Sequence, residues 1–491
     1  MWLASLSMPS TAAEVNKNHA LALLALTQFI VIIDASITNV ALPSIGSSLK
    51  IQPSDLSWVV NSYTLTFGGF LLLGGRLADL FGRRRLFMLG LIVFGLGSFL
   101  GGLSQSEGFL VGARALQGLG AALVSPAALS ILTTTFAEGA ERNRALAVWG
   151  AVAGAGGAAG VLLGGVLTEI DWRLVLFVNV PVAAAAVIAT PRVLAESRGD
   201  TAVTTLDIPG AITVTGGLTL LVYALVDAES AGWGSTTTVG RMVVAALLLA
   251  AFVTIELRTR HPLMPFSIFR LRTLRGGNFT GFLLGASLYS MFYFMSLYLQ
   301  RVLHLSALET GLAFLPLALV VIVTAGGSEP LMARIGFKPV LVGGTAIMAA
   351  ALLWFSGISA DGSFLADVLG PEMVAALGLA LAFVTVTVAA VTGTKPDEAG
   401  LASGLINTSQ QLGGALGLAI AVSASNARIA DFGIGGQGNP IALTHGYKLA
   451  FLICAGFAIA AALTAAFVIS SRDSREHALA TQRGEAPPAA V

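Results

Sequence analysis

Charge is the scarcest commodity in this chain. Acidic and basic residues make up 11% of its 491 residues, while 55% are hydrophobic. A soluble domain carries roughly 25% charged residues, so this chain lacks the polar surface that water demands. There is a single cysteine, Cys454, inside an apolar run, which excludes an intramolecular disulfide and any metal site built from several thiolates. The five histidines, His19, His261, His304, His445 and His477, fall in expected loops or tails and do not cluster with other ligands. Neither a metal centre nor a catalytic triad is therefore expected. No glycine loop is followed by a phosphate-binding lysine, and Gly-x-Gly-x-x-Gly spacing occurs only inside apolar runs. These absences argue against an enzyme, a bound cofactor and a nucleic-acid partner.

What the chain does have is long apolar runs, with a mean hydropathy of +0.84. Only helices or closed barrels satisfy backbone groups in lipid, and barrel strands alternate in short segments. The runs here are continuous and near 20 residues, so an all-α integral membrane protein embedded in a lipid bilayer is expected. About fourteen helices are expected, near 20–43, 56–76, 86–103, 109–132, 145–167, 174–194, 208–227, 240–257, 277–300, 309–328, 339–358, 371–393, 400–425 and 447–470. Residues 1–19 lack the apolar core of a signal peptide and read as a cytoplasmic tail. A six-helix bundle then occupies 20–195, a linker with two extra helices 196–275, a second bundle 276–470, and a disordered cytoplasmic tail 471–491. With both termini inside, about 20 Lys and Arg fall in cytoplasmic segments and roughly 6 outside, the asymmetry expected of the cytoplasmic membrane.

The densest charge lies in Gly75-Arg-Leu-Ala-Asp79-Leu-Phe-Gly82-Arg83-Arg84-Arg85, a tight turn between the second and third runs. Basicity alone would make it a topology anchor; the spacing of Gly75, Asp79 and Gly82 is more specific. A fainter copy, Glu329 to Lys338, keeps the glycine as Gly336 and one base but has Ala333 in place of the aspartate. Both follow the second helix of a six-helix block, which points to an internal repeat.

Two charges stand inside apolar runs. Asp34 shares a helical face with Thr27, Val31 and Thr38 in the first run, and Arg114 lies early in the fourth. At 1.5 Å per residue they sit about 13 Å and about 8 Å from the same surface, close enough for an ion pair that protonation of Asp34 would break. An ionisable residue in a bilayer marks a functional site by default; the alternative is a buried pair serving assembly alone. The fifth run carries Gly156, Gly160, Gly164 and Gly165, which suit a bend and close helix packing. Tyr289 and Tyr293 in the ninth run, with Asn407, Gln410 and Gln411 in the thirteenth, could wall an aromatic cavity with a few polar contacts.

Together these segments resemble the major facilitator superfamily, and within it the fourteen-helix drug:proton antiporters of the EmrB/QacA type. The likeness rests on Asp34 to Pro43, the turn from Gly75, Arg114 to Gly120, Trp172 to Pro181, and Gly400 to Gly413. It implies proton-coupled efflux of lipophilic small molecules by two six-helix halves plus two inserted helices. It further implies a proton-linked Asp34, a coupling role for Arg114, and a cytoplasmic gate of Gly75, Asp79, Gly82, Arg83 and Arg84, with Arg142 as a partner for Asp79. In one departure, Val161 stands where the family's fifth-helix motif has proline. Uptake of a small organic nutrient by the same fold is the alternative, and a scaffold role the remotest. Monomeric function is compatible with this reading.

Overall fold

The computed structural model describes residues 17–52, 55–136, 140–197, 207–259, 262, 266–394, 399–432 and 438–483. Its regular structure there is helical throughout. The first bundle comprises α1 (Lys17–Leu49), α2 (Trp58–Phe81), α3 (Arg83–Gly102), α4 (Glu107–Thr135), α5 (Ala140–Ile170), and α6 (Leu174–Phe177) running into α7 (Asn179–Val193). Next come α8 (Ile208–Ala231) and α9 (Thr236–Arg258), packed on each other. The second bundle comprises α10 (Arg272–Leu297), α11 (Ala307–Ala313), α12 (Leu315–Ile335), α13 (Phe337–Phe355), α14 (Leu369–Val391), α15 (Ala399–Ala430) and α16 (Pro440–Phe467).

Among the described residues, 11 helices are long and apolar enough to cross a membrane. Their exposed faces are apolar as well. On α3, Leu89, Ile92, Leu96 and Phe99, with Leu103 just past its end, recur every three or four residues and all stand exposed. Such a stripe suits lipid and would be a liability in water.

Close approach between helices comes from glycine where it matters most. A Cβ on Gly118 of α4 would lie 2.3 Å from the carbonyl of Tyr63 on α2, and one on Gly120 would lie 2.3 Å from the backbone nitrogen of Phe94 on α3. Helix α4 can sit between α2 and α3 only because both positions lack a side chain.

The two bundles meet toward the end where α1 finishes. Ser296 Oγ donates to the carbonyl of Asn39 at 2.9 Å, and Gln300 Nε2 donates to that of Val40 at 2.9 Å. Nearby, a Cβ on Gly165 of α5 would stand 2.7 Å from the Ala307 carbonyl of α11. Helix α8 lies along the same seam: Val222 packs with Leu65 of α2 and with Ala415 and Ala419 of α15.

The polar C-terminal segment differs from its expected disorder. Residues Ser471–Arg483 form α17, docked on α12 and α13. Ser474, Ala478 and Ala480 are its buried face, and Gln482 Nε2 donates to the Ala333 carbonyl at 2.7 Å. A polar composition reads as disorder unless a partner surface exists, and here the turn before α13 supplies one. Residues 1–16 and 484–491 of the expected tails lie outside the described residues.

Candidate functional site

Asp34 lies fully buried near the middle of α1, and the structure brings it against Arg114 of α4. Arg114 Nη1 donates to Asp34 Oδ2 at 2.6 Å and to Gln117 Oε1 at 2.6 Å, while Nε donates to the Val59 carbonyl at 3.1 Å. The guanidinium carbon stands 4.5 Å from the centre of the Tyr63 ring, a cation–π contact sealing that side. Asp34 Oδ1 accepts from Gln117 Nε2 at 2.6 Å and from Asn179 Nδ2 at 2.8 Å. Both amide groups also donate to Ser98 Oγ, at 2.8 and 3.0 Å, and Ser98 passes its own hydrogen to the Leu176 carbonyl at 3.0 Å. Residues of α1, α2, α3, α4, α6 and α7 are thus tied into one buried polar node.

The chemistry of this node follows from its donor count. Arg114 has only hydrogens to give, so it fixes the orientation of Gln117, which must present its oxygen to Arg114 and its nitrogen to Asp34. Each oxygen of Asp34 faces donors, which is the arrangement an ionised carboxylate needs. A proton on Oδ1 would meet the donors Gln117 and Asn179, and one on Oδ2 would cancel the charge that Arg114 pairs with. Removing one partner of such a buried pair typically costs about 3–5 kcal/mol. Gln117, Ser98, Asn179 and Tyr63 were not singled out from sequence. Gln117 had a signal, because it lies three residues from Arg114 and so on the same face.

The turn from Gly75 closes on its own bundle. Gly82 has φ +108°, where a side chain is strained, and it ends α2 and starts α3. Arg83 N donates to the Ser197 carbonyl at 2.9 Å, Arg84 N to Glu196 Oε1 at 3.1 Å, and Arg84 Nη1 to the Leu194 carbonyl at 3.2 Å. The side chains of Asp79 and Arg142 lie outside the described residues, while Gly75 is in ordinary contact with Pro126. The second copy repeats this scheme. Gly336 has φ +83°, Lys338 N donates to Ser474 Oγ at 2.9 Å, and Lys338 Nζ donates to the Ile469 carbonyl at 2.8 Å. In each bundle, the segment leaving the last helix binds the turn between the second and third.

The glycines of α5 serve packing within one continuous helix. Gly156, Gly160 and Gly164 face Ile32, Ile33 and Ile37 of α1, and Gly165 faces α11. Val161 is buried, and a Cβ on Gly311 would lie 3.0 Å from its carbonyl.

The five residues expected to wall a cavity do not form one group. Tyr289 OH donates to Gln411 Oε1, joining α10 to α15. Gln410 is buried in the same helix–helix contact, where Gly285 meets its backbone. Asn407 is exposed, and Tyr293 lines a small separate cavity with Arg301, Asn426 and Tyr447. A shared helical face in sequence therefore splits between different neighbours in space.

Two helical bundles meeting at a seam, with a buried acid–base node in one of them, define a polytopic membrane protein of the transporter class. Residues 24–418 match the family described as Major Facilitator Superfamily, and the chain belongs to that family. It is 42% identical over 457 residues to the cephamycin export protein CmcT of Amycolatopsis lactamdurans, covering 92% of this chain and 93% of that protein. It is 39% identical over 457 residues to the puromycin resistance protein pur8 of Streptomyces alboniger, covering 91% and 90%. Among solved structures, the POT family transporter PepTSo superposes with a TM-score of 0.68 at 17% identity, over 93% of this chain and 98% of that one. That likeness is one of fold.

Proposed function

We propose that this protein exports lipophilic small molecules, such as drugs, dyes, antibiotics or a secondary metabolite, across the cytoplasmic membrane in exchange for protons. The observation that carries the proton-coupled part is the node at Asp34, where a proton would cancel the charge that holds Arg114 and so weaken a contact that ties helices together. The export direction draws on the relatives named for cephamycin export and puromycin resistance. In this reading the chain has fourteen spans, as two six-helix halves with α8 and α9 inserted, and both termini are cytoplasmic, as in the EmrB/QacA-type antiporters. The seam contacts around Gly165 and Ser296 then close the outer end, so the state described is closed to the outside. Asp79 and the arginines after Gly82 act at the cytoplasmic mouth, and Arg114 holds Asp34 until a proton displaces it.

Everted vesicles bearing this protein, given a pH gradient and a panel of dyes and antibiotics, test the proposal. Gradient-dependent accumulation supports it. Accumulation confined to right-side-out vesicles contradicts it in favour of uptake.

A further inference from the structure

Glu372 lies in the first turn of α14 with 0% of its surface exposed. Neither of its carboxylate oxygens has a hydrogen-bond partner among the described residues. The backbone of Leu317, in the first turn of α12, is a polar neighbour of this carboxylate. Titratable groups toward that end of the surrounding elements are engaged elsewhere. Asp367 accepts from Tyr298 and Ser359, Glu309 closes a capping box with Ser306, Arg301 bonds Tyr447, and Arg428 pairs with Asp431. An ionised carboxylate with no partner in such surroundings is strongly disfavoured.

Its location gives that burial a consequence. Helix α11 leads directly into α12 at Phe314, and α11 is the element that rests on Gly165 of the first bundle. The first turn of α12, where Leu317 lies beside Glu372, therefore follows directly on the element that rests against the first bundle.

We propose that Glu372 is a second proton-binding site, loaded when the α5–α11 contact closes and unloaded when it parts. It binds and releases its proton on the same side, so it carries none across the membrane. Instead it makes closure of that end consume a proton, and acid on that side favours the closed state. The inference rests on the alternating seam of the proposed function but not on what is transported, and its test uses no substrate.

Spin labels at Ile170→Cys and Leu312→Cys, both exposed positions on α5 and α11, report the seam in the full chain in lipid nanodiscs. Cys454, fully buried, does not compete for label. Raising the pH is expected to shift the distance distribution toward longer separations. In an Asp34→Asn background, which removes the other proposed proton site, Glu372→Gln, and separately Glu372→Met in case one variant fails to fold, are expected to hold the short distance at every pH. Asp34→Asn alone is expected to retain a pH response. A distance insensitive to pH in the otherwise unaltered chain, or a response that persists in both Glu372 variants on that background, overturns the proposal.

Discussion

Asn179 Nδ2 donates to Asp34 Oδ1 at 2.8 Å, reaching from the first residue of α7 to the middle of α1. Its second hydrogen goes to Ser98 on α3, so one neutral side chain links three helices through the acid. Asp34 therefore does more than balance Arg114: it is the acceptor around which the first bundle is tied.

Asn179→Leu should leave Asp34 Oδ1 and Ser98 each short of a donor. Gln117 still donates to both, so the loss is that of a hydrogen bond to a charged group, about 1.5–3 kcal/mol. A lower melting temperature in detergent and an altered pH dependence of transport are expected. Unchanged values of both would remove Asn179 from the node.

Arg114→Ala should be the most destabilising change in the node, because it strands the carboxylate that Gln117 and Asn179 alone cannot balance; a loss of about 3–5 kcal/mol is expected. Adding Asp34→Asn removes the stranded charge and should recover part of the melting temperature. Arg114→Lys should fail to restore transport, since an ammonium cannot reach Val59, Asp34 and Gln117 together with the fork that arginine uses. Strictly additive effects in the double variant would contradict the pairing.

Gly118→Val should block assembly of α2 against α4, because even a Cβ meets the Tyr63 carbonyl at 2.3 Å. Loss of folded protein in fluorescence-detected size-exclusion chromatography is expected, whereas Gly112→Val, where nothing lies within 4 Å, should be silent.

The docking of α17 should depend on pH through His477, whose ring packs edge-on to Phe337. Burial pushes this imidazole below its ordinary value of 6.5. A base depressed by docking contributes stability that is present above its undocked value and is lost as the pH falls below it. Protection against hydrogen exchange across 471–483, taken relative to the intrinsic rate at each pH, is expected to fall as the pH drops below about 6.5, and His477→Phe should flatten the dependence.

Much of this was legible in the chain, and the reasons for the rest are physical. Helices were visible as apolar runs, and Asp34 and Arg114 stood out because charge in a bilayer is rare and expensive. Ser98 and Asn179 were hidden because a neutral polar residue in an apolar run has many harmless uses, and only tertiary contact selects one. Helix α17 was missed because its order comes from Lys338 and Phe337, more than a hundred residues away. Tyr289 and Tyr293 were grouped by helical periodicity, yet one turn of α10 is enough to give them different neighbours.

The most direct test is proton release on substrate binding. Purified protein in weakly buffered detergent, mixed with a lipophilic substrate found in the vesicle panel and read with a pH indicator, should release protons as the node at Asp34 re-forms around an ionised carboxylate. Asp34→Asn should bind the same substrate and release none from this site. Equal release from both proteins would contradict a proton-exchanging role for Asp34.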